Sequence, residues 1–391
     1  MQNCPKLETH ELQAAIDAAY AAGGGRVCIQ PGTHATGTLE IKSNVELFLC
    51  PGASLIGSGN LDEYPDFAPE GAVSFDGYTP EKSRKALIVA NKADNVSITG
   101  FGVIDARGPD FYDKNIIAGT APGAHWPKPD IPRPRLLQFV QCKNACIRDV
   151  RFKDSAGWSF WMAECENMTI NAITLTGNPH LMNNDGIHLD SCRKVRISDC
   201  YIDTGDDAIV VRAIRKSLDK EYVCEDVTVS NCVLASACQC IRIGCPLDGD
   251  IRDCVFSNLT CKGLNGINFN NPLRYATFRP ELMSSGASVS TDRLLFSNIA
   301  IDVSGTPITF NIAPELRLRR LGGATFSNIR LQGGKPCRLI GSQATPIADV
   351  AFFNADFDKC PQLDHTANIS FDNCRVASKK FSPNGEDESA L

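Results

Sequence analysis

The most regular feature of this chain is an alternation of apolar and polar positions that recurs from about residue 145 onward. The clearest copies occupy residues 195–202, 227–234, 296–301, 326–331 and 371–376. Each copy has the two-residue period of a β-strand. Each also carries Asn or Asp at the same offset, where a short polar side chain can bond the backbone at a bend. Steps of 22 residues recur, and a repeating unit of this size predicts a solenoid.

Each strand of such a coil pairs with the equivalent strand of the next coil, so the pairing is expected to be parallel. The predicted fold is therefore all-β, a single-stranded right-handed parallel β-helix of roughly ten coils. Apolar residues at helical spacing between residues 9 and 19, ended by three glycines at residues 23–25, predict a short N-terminal helix that caps the first coil. We expect one β-helix domain over residues 1–379 and a polar tail over residues 380–391.

Three aspartates occupy equivalent places in two neighbouring repeats. Asp185 precedes Gly186, and Asp207 lies 22 residues further on, directly after Asp206. Because adjacent strands lie about 4.8 Å apart, we expect the three carboxylates in one patch of surface. Strict alternation would turn Asp185 and Asp207 inward, so we expect both at a bend before a strand. Crowded carboxylates raise one another's pKa, which suits acid and base catalysis such as glycosidic bond hydrolysis.

Composition narrows the function classes. The formal charge of -6 disfavours nucleic acid as a partner, and the chain has no run of 18 apolar residues that would span a membrane. We interpret the 18 cysteines as buried free thiols, because a chain this long does not depend on a disulfide framework. The spacing of Cys238, Cys240 and Cys245 fits no zinc pattern well, so neither a metal nor a cofactor is expected. Residues 1–5 do not read as a signal peptide, so the chain is intracellular or begins after a cleavage site, and its compartment stays open.

Taken together, these motifs resemble glycoside hydrolase family 28, the polygalacturonase family of pectin-degrading enzymes. The resemblance covers most of the chain and is most specific at Asn183-Asn184-Asp185 and Gly205-Asp206-Asp207. It implies a right-handed parallel β-helix and hydrolysis with inversion at the anomeric carbon. It also implies that Asp206 is the general acid, that Asp185 and Asp207 hold and deprotonate the attacking water, and that no metal is needed.

The chain departs from the family pattern at positions that recognise the substrate. Gln239 stands where the family motif has a histidine. Asn268 and Asn270 stand where the family has the arginine and lysine of Arg-Ile-Lys, and Phe296 takes the place of a tyrosine. We therefore expect rhamnogalacturonan or another non-standard linkage as substrate rather than plain polygalacturonate.

Outward positions of a solenoid stack in rows along successive coils, which indicates side chains that compensate for these losses. An inward row of Ile187, Ile209, Ile241 and Ile267 predicts one outward row with His188, Val210, Arg242 and Asn268, and a second with Asp190, Arg212, Gly244 and Asn270. In this hypothesis Arg242 and Arg212 bind an anionic group, and His188 assists the aspartates. The full set of predicted substrate-binding residues is His188, Arg242, Gln239, Asn268, Asn270, Arg212 and His180.

The predicted function is an inverting glycoside hydrolase that acts as a monomer on a pectin-type poly- or oligosaccharide. The Pro- and Gly-rich stretch over residues 109–134 is interpreted as a loop over the groove that would favour an exo mode. Two alternatives stay open: a polysaccharide lyase or epimerase on the same fold, and a non-catalytic carbohydrate-binding β-helix. Retention of all three aspartates argues against the non-catalytic alternative, because crowded carboxylates cost stability unless they are used.

Overall fold

The computed structural model describes residues 9–67, 83–120, 124–127, 129–277, 284–286, 288–377 and 379–380. The chain divides into two compact units, residues 1–208 and residues 209–391. The predicted tail over residues 380–391 lies outside the described residues except for Lys380. The single domain over residues 1–379 stays a prediction. None of the described helices has the length and apolar character that crossing a bilayer requires.

The first unit contains seventeen described strands, joined by short turns and a few helices. The strands are β1 (Gly25–Ile29), β2 (Gly32–Thr36), β3 (Leu39–Glu40), β4 (Val45–Leu49), β5 (Ala53–Gly57), β6 (Ala86–Asn91), β7 (Ser97–Gly100), β8 (Val103–Asp105), β9 (Arg135–Val140), β10 (Cys146–Arg148), β11 (Arg151–Lys153), β12 (Phe160–Ala163), β13 (Glu166–Asn171), β14 (Thr174–Thr176), β15 (Ile187–Asp190), β16 (Arg193–Ser198) and β17 (Tyr201–Thr204). The helices are α1 (Thr9–Ala21), α2 (Lys114–Ala118) and two 3₁₀ turns, Leu61–Glu63 and Gly108–Phe111.

These strands pair in parallel as three stacks, because each coil lays its strands on those of the next. The stacks are β1-β4-β7-β10-β13-β16, β2-β5-β8-β11-β14-β17 and β3-β6-β9-β12-β15. Helix α1 packs against β1, β3 and β4, as the capping prediction requires, and buries Leu12 and Ile16. Thr9 is its first residue, and its hydroxyl accepts the Gly37 N–H at 2.9 Å.

The second unit contains the remaining strands and one short helix. They are β18 (Ile209–Arg212), β19 (Val223–Ser230), β20 (Val233–Ile243), β21 (Asp250–Asn271), α3 (Leu273–Ala276), β22 (Ser290–Val303), β23 (Ile308–Ile312), β24 (Leu321–Gly333), β25 (Arg338–Ile340), β26 (Ile347–Phe357), β27 (Gln362–Asp364), β28 (Thr366–Asp372), β29 (Arg375–Val376) and β30 (Lys379–Lys380). Pairing between these strands is parallel except for β29 with β30. Long strands such as β21 turn corners, so they take part in more than one stack.

The core of the second unit is built from aromatic rings that repeat from coil to coil. Phe256, Phe296, Phe326, Phe352 and Phe371 stack face to face with ring centroids 4.7 to 5.2 Å apart. Inward apolar positions of the alternating pattern thus meet one strand spacing apart. Phe296, which stands where the family has a tyrosine, belongs to this stack, and its ring is fully buried.

The Asn or Asp at the repeated offset marks a left-handed backbone position. Asn258, Asn298, Asn328 and Asn354 have φ values between 50° and 55°, a region that asparagine tolerates better than most residues. Their side chains bond one another along the coils, and each Nδ2 donates to the Oδ1 of the preceding Asn at 3.0 to 3.1 Å. The sequence predicted the bend, but it predicted side-chain bonds to backbone rather than this asparagine ladder.

Candidate active site

Asp185 and Asp207 lie in turns, not in strands, as the alternation argument required. Asp185 comes two residues before β15, and Asp207 follows β17. The Gly186 N–H donates to the Asp207 carbonyl oxygen at 2.9 Å, and the Ser159 N–H donates to the Asp185 carbonyl oxygen at 2.7 Å. The two acidic turns therefore lie on neighbouring coils, one strand spacing apart.

Two glycines allow these turns to approach so closely. A Cβ atom at Gly186 would lie 2.3 Å from the Ala208 carbonyl oxygen. A Cβ atom at Gly205 would lie 2.8 Å from the carbonyl oxygens of Asn178 and Leu181. Side chains at these positions would push the acidic turns apart. Steric crowding therefore explains why each of the two acidic motifs contains a glycine.

Asp206 is the most exposed of the three aspartates, and backbone donors hold its carboxylate. Its Oδ1 accepts the Asp207 N–H at 3.0 Å, and its Oδ2 accepts the Asn183 N–H at 3.2 Å. Asp206 is half-buried, whereas Asp185 and Asp207 are 6% and 2% exposed. The Asp206 carboxylate is thus the most accessible to water of the three, and hydrogen bonds to both of its oxygens fix its orientation.

His188 lies against Asp185, so the structure brings these two predicted site residues together. Its Nδ1 is 3.9 Å from Asp185 Oδ2, and its ring stacks on Trp158 with centroids 3.9 Å apart. In the strand register His188 follows Trp161, whose ring lies 4.6 Å from the Arg135 guanidinium. His188 points away from the core of the coil, as predicted, but these aromatic rings cover it and leave it only 1% exposed.

His180 belongs to the contact between the long loop and the segment before Asp185. Its ring stacks on Trp126 with centroids 5.7 Å apart, and Trp126 N–H donates to the His180 carbonyl oxygen at 2.8 Å. The His180 Nδ1 lies 2.8 Å from the carbonyl oxygen of Ala124. These contacts fasten residues 124–126 of the long loop beside the segment before Asp185, and the described part of this loop also contains α2.

In the second unit the predicted rows have the expected register. Val210 pairs with Arg242, and Arg242 pairs with Asn268. The side chains of Asn268 and Asn270 bond within the protein: Asn268 Oδ1 accepts the Asn270 N–H at 2.7 Å, and Asn270 Oδ1 accepts from Asn311 Nδ2 at 3.0 Å. Strand β23, not β22, continues this row, so Asn311 is the residue that pairs with Asn270.

Arg242 meets two residues that the sequence analysis did not name. Its guanidinium carbon lies 4.9 Å from the centre of the Tyr275 ring, and the guanidinium carbon of Arg274 lies at the same distance from that ring. Arg274 Nη2 also donates to the Tyr275 hydroxyl at 3.2 Å. Two cations therefore flank one aromatic ring, an arrangement with a favourable cation–π component. Arg274 and Tyr275 lie on α3, just after β21, in a segment that belongs to no sequence repeat.

Arg212 does not fit its predicted role as an anion-binding residue. Its side chain is 8% exposed, and it binds fully buried Asp248 through Nε at 2.5 Å and Nη2 at 2.8 Å. Asp248 also accepts the N–H groups of Ala213 and Cys245. A bidentate buried pair of this kind holds the turn over residues 245–248 in place.

Gln239 is half-buried, and its Nε2 points to Cys238 Sγ at 3.4 Å. Of the three cysteines weighed as a metal cluster, Cys240 and Cys245 are buried, and Cys245 Sγ accepts from Arg242 Nη2 at 2.9 Å. All 17 cysteines within the described residues are free thiols, most of them buried, which confirms the interpretation of the cysteines there.

Comparison with known proteins places the chain in a family. The model of "Glycosyl hydrolases family 28" matches residues 58–338. A "Probable polygalacturonase" of Vitis vinifera is 28% identical over 211 residues, 53% of this chain and 41% of that protein. An "Exo-poly-alpha-D-galacturonosidase" of Dickeya chrysanthemi is 27% identical over 244 residues, 52% of this chain and 39% of that protein. The chain thus spans about two fifths of the length of these relatives.

Among solved structures, a hyperthermoactive exopolygalacturonase from Thermotoga maritima matches with a TM-score of 0.77 at 19% identity, over 96% of this chain and 89% of that one. This likeness shows the fold, and it confirms the predicted parallel β-helix. The family model covers well over half of the chain, and it includes both acidic turns and the row of Arg242 and Asn268. The chain belongs to glycosyl hydrolase family 28.

Proposed function

We propose that this chain is an inverting glycoside hydrolase of pectin-type poly- or oligosaccharides. The observation that carries the proposal is the pair of acidic turns, in which the Gly186 N–H to Asp207 carbonyl bond sets Asp185 beside Asp206 and Asp207. Family membership supports the same chemistry, since the residues of the family's acidic motifs are all present.

In this proposal Asp206 is the general acid. Its partial exposure suits a group that must touch the glycosidic oxygen, and two N–H donors fix its direction. As the bond between the anomeric carbon and the leaving oxygen breaks, the proton of Asp206 passes to that oxygen. Asp185 and Asp207 accept a proton from the water whose oxygen attacks the anomeric carbon from the opposite face. A separation of about 6.5–9.5 Å between acid and base accommodates such a water.

His188 supports the base in this proposal. Its Nδ1 lies 3.9 Å from Asp185 Oδ2, and the stacked Trp158 ring fixes the plane of the imidazole. An imidazole held at this distance attracts the Asp185 carboxylate when the ring carries a proton, and this attraction favours one orientation of the carboxylate. His188 is then a positioning residue rather than a group that touches the sugar.

The proposed substrate carries fewer or differently placed carboxylates than polygalacturonate, with a rhamnogalacturonan-type chain as the first choice. Asn268 and Asn270 replace the family's cationic residues, and the Oδ1 atom of each accepts a hydrogen bond from within the protein. Arg242 is instead proposed to bind an anionic group, together with Arg274 across the Tyr275 ring. Gln239 is proposed to contribute only a neutral amide, because it lacks the charge a histidine can carry.

We also propose exo action. The long loop is fastened to the segment before Asp185 by the Trp126 N–H bond to His180 and by the stacking of their rings. A loop held beside the acidic turns would shorten the run of sugars that can bind on that side. Exo enzymes release small products from chain ends, so the viscosity of the polymer falls slowly as reducing ends appear.

The test is release of reducing ends from a panel of rhamnogalacturonan, xylogalacturonan and polygalacturonate oligosaccharides, with Asp206→Asn as control. Proton NMR of the first product should show the anomer opposite to that of the substrate. A product with the ultraviolet absorbance of an unsaturated uronate would favour the lyase alternative. Tight binding with no turnover on any member would favour the non-catalytic alternative.

A further inference from the structure

Arg133 is a fully buried cation in the first unit that the proposed reaction does not use. Its Nη1 donates to the Tyr112 hydroxyl at 2.7 Å, to the Ala156 carbonyl oxygen at 2.9 Å and to the Met182 carbonyl oxygen at 2.5 Å. Its Nη2 donates to Asn183 Oδ1 at 3.1 Å. Arg133 thus ties the long loop, the turn before β12 and the segment before Asp185 to one guanidinium group.

All four of these acceptors are neutral. Among the described residues no carboxylate forms an ion pair with Arg133, although the group is 0% exposed. Burying a charge without an ionic partner is costly even when hydrogen bonds offset part of the penalty. Because packing alone does not need a cation here, its hydrogen-bond partners are the place to look for a further role.

The acceptor on Met182 indicates what that role is. The carbonyl of Met182 and the N–H of Asn183 belong to one peptide group, and that N–H donates to Asp206 Oδ2 at 3.2 Å. The guanidinium therefore binds one end of a peptide dipole whose other end holds the carboxylate. Hydrogen bonds in series polarise one another, so the cation strengthens the bond to Asp206. Asn183 has φ 59°, and Arg133 also holds its side chain in this left-handed turn.

We infer that Arg133 is a positioning residue for Asp206, which it orients through the peptide group between Met182 and Asn183. The inference rests on the proposed role of Asp206 as general acid. It assigns Arg133 no contact with the substrate, so its loss should lower turnover without weakening binding.

A double-mutant cycle tests this coupling. Arg133→Met should lower kcat about 10- to 100-fold and leave KM within about twofold. In the Asp206→Asn background the same substitution should lower kcat no further, because the group it positions is already inactive. Arg133→Lys keeps the positive charge on a single donor nitrogen, so it should recover part of kcat if Arg133→Met folds poorly. An equal loss of kcat in both backgrounds would overturn the inference.

Hydrogen exchange gives a readout that does not depend on activity. Arg133→Met should speed amide exchange in a peptide spanning residues 181–186 by about tenfold or more, with no change in a peptide spanning residues 294–303. Tyr112→Phe removes another acceptor of the same guanidinium and should leave that exchange rate unchanged. If the wild-type protein hydrolyses no substrate and amide exchange still responds in this way, the proposed function fails. The inference that Arg133 holds the peptide group between Met182 and Asn183 then stands. Unchanged exchange in Arg133→Met overturns the inference whatever the activity.

Discussion

The Gly186 N–H and the Asp207 carbonyl oxygen are joined by a hydrogen bond of 2.9 Å, and this bond sets the spacing of the acidic turns. The spacing is therefore a property of the backbone, repeated at the strand interval of the coil, and not of side-chain packing. Side-chain contacts only refine it, since His188 lies against Asp185 and Asn183 holds Asp206.

Substituting Gly186 should separate the acidic turns. In Gly186→Ala the added Cβ would lie 2.3 Å from the Ala208 carbonyl oxygen, so the strands must shift. We expect kcat to fall about tenfold or more and the free energy of unfolding to drop by about 1–3 kcal/mol. Gly59→Ala is the matched control, because its nearest contact would be an ordinary 3.5 Å to the Asp110 side chain. Steady-state kinetics and urea unfolding check both variants, and a fully active Gly186→Ala protein would refute the argument from backbone spacing.

Removing the proton of Asp206 should abolish most turnover. Asp206→Asn keeps an acceptor for the Asn183 N–H, so we expect an intact fold, an unchanged KM and a loss in kcat of about 10²- to 10⁴-fold. Asp203→Asn makes the same substitution three residues earlier, where the side chain accepts from the Tyr201 hydroxyl, and it should keep wild-type kcat. Comparable losses in the two variants would exclude a special role for Asp206.

Loss of Arg242 should discriminate between substrates by charge. We expect Arg242→Ala to raise KM for an anionic oligosaccharide about tenfold or more while KM for a neutral one changes less than about twofold. Arg252→Ala serves as the control for net charge, because it removes a cation of β21 that is paired with Glu225 of β19. The same change in KM for both substrates would remove Arg242 from the list of anion-binding residues.

Much of this architecture follows from sequence because the two-residue period fixes the face from which each side chain leaves. The row of Ile209, Ile241 and Ile267 and the turn position of Asp185 were predicted in this way. The two-residue period of a strand does not predict which other residues pack over an outward-pointing side chain. The burial of His188 under Trp158 was for that reason not foreseen.

Connections between strands escape the pattern altogether. The binding of Arg212 to Asp248 depends on a turn between β20 and β21, and Tyr275 approaches Arg242 from a helix that belongs to no repeat. The buried role of Arg133 likewise depends on how the long loop and the segment at Met182 fold together. Neither the alternation nor the spacing of residues in the sequence brings these side chains together; only the folded structure does.

The asparagine ladder should contribute measurably to stability. Asn328 donates to Asn298 at 3.0 Å and accepts from Asn354 at 3.1 Å, at φ 53°. Asn328→Ala loses both bonds and places a Cβ in the left-handed region, so we expect the free energy of unfolding to fall by about 2–3 kcal/mol. Asn328→Gly loses the same bonds without the strain and should cost about 1 kcal/mol less. Equal costs in urea unfolding would show that the backbone strain is negligible.

The buried thiols should make the protein sensitive to alkaline pH. Burial raises the pKa of Cys254 and of Cys337 to about 12, whereas an unfolded thiol titrates near 8.5. Between these values the unfolded state loses protons that the folded state keeps, so stability is intact below about pH 8.5 and falls as pH rises toward 12. At pH 10 each thiol should account for about 2 kcal/mol of that loss.

Removing those thiols tests this account of the pH dependence. Between pH 8 and pH 10, under reducing conditions, the Cys254→Ala/Cys337→Ala protein should lose about 4 kcal/mol less unfolding free energy than the wild type. Both substitutions will lower stability at pH 8, so the difference between the two pH values is the quantity to compare. Cys360 is exposed, and Cys360→Ala should leave that difference unchanged, because water reaches its thiol in both states. If the unfolding free energy of the double variant falls between pH 8 and pH 10 as steeply as that of the wild type, other groups cause the alkaline instability.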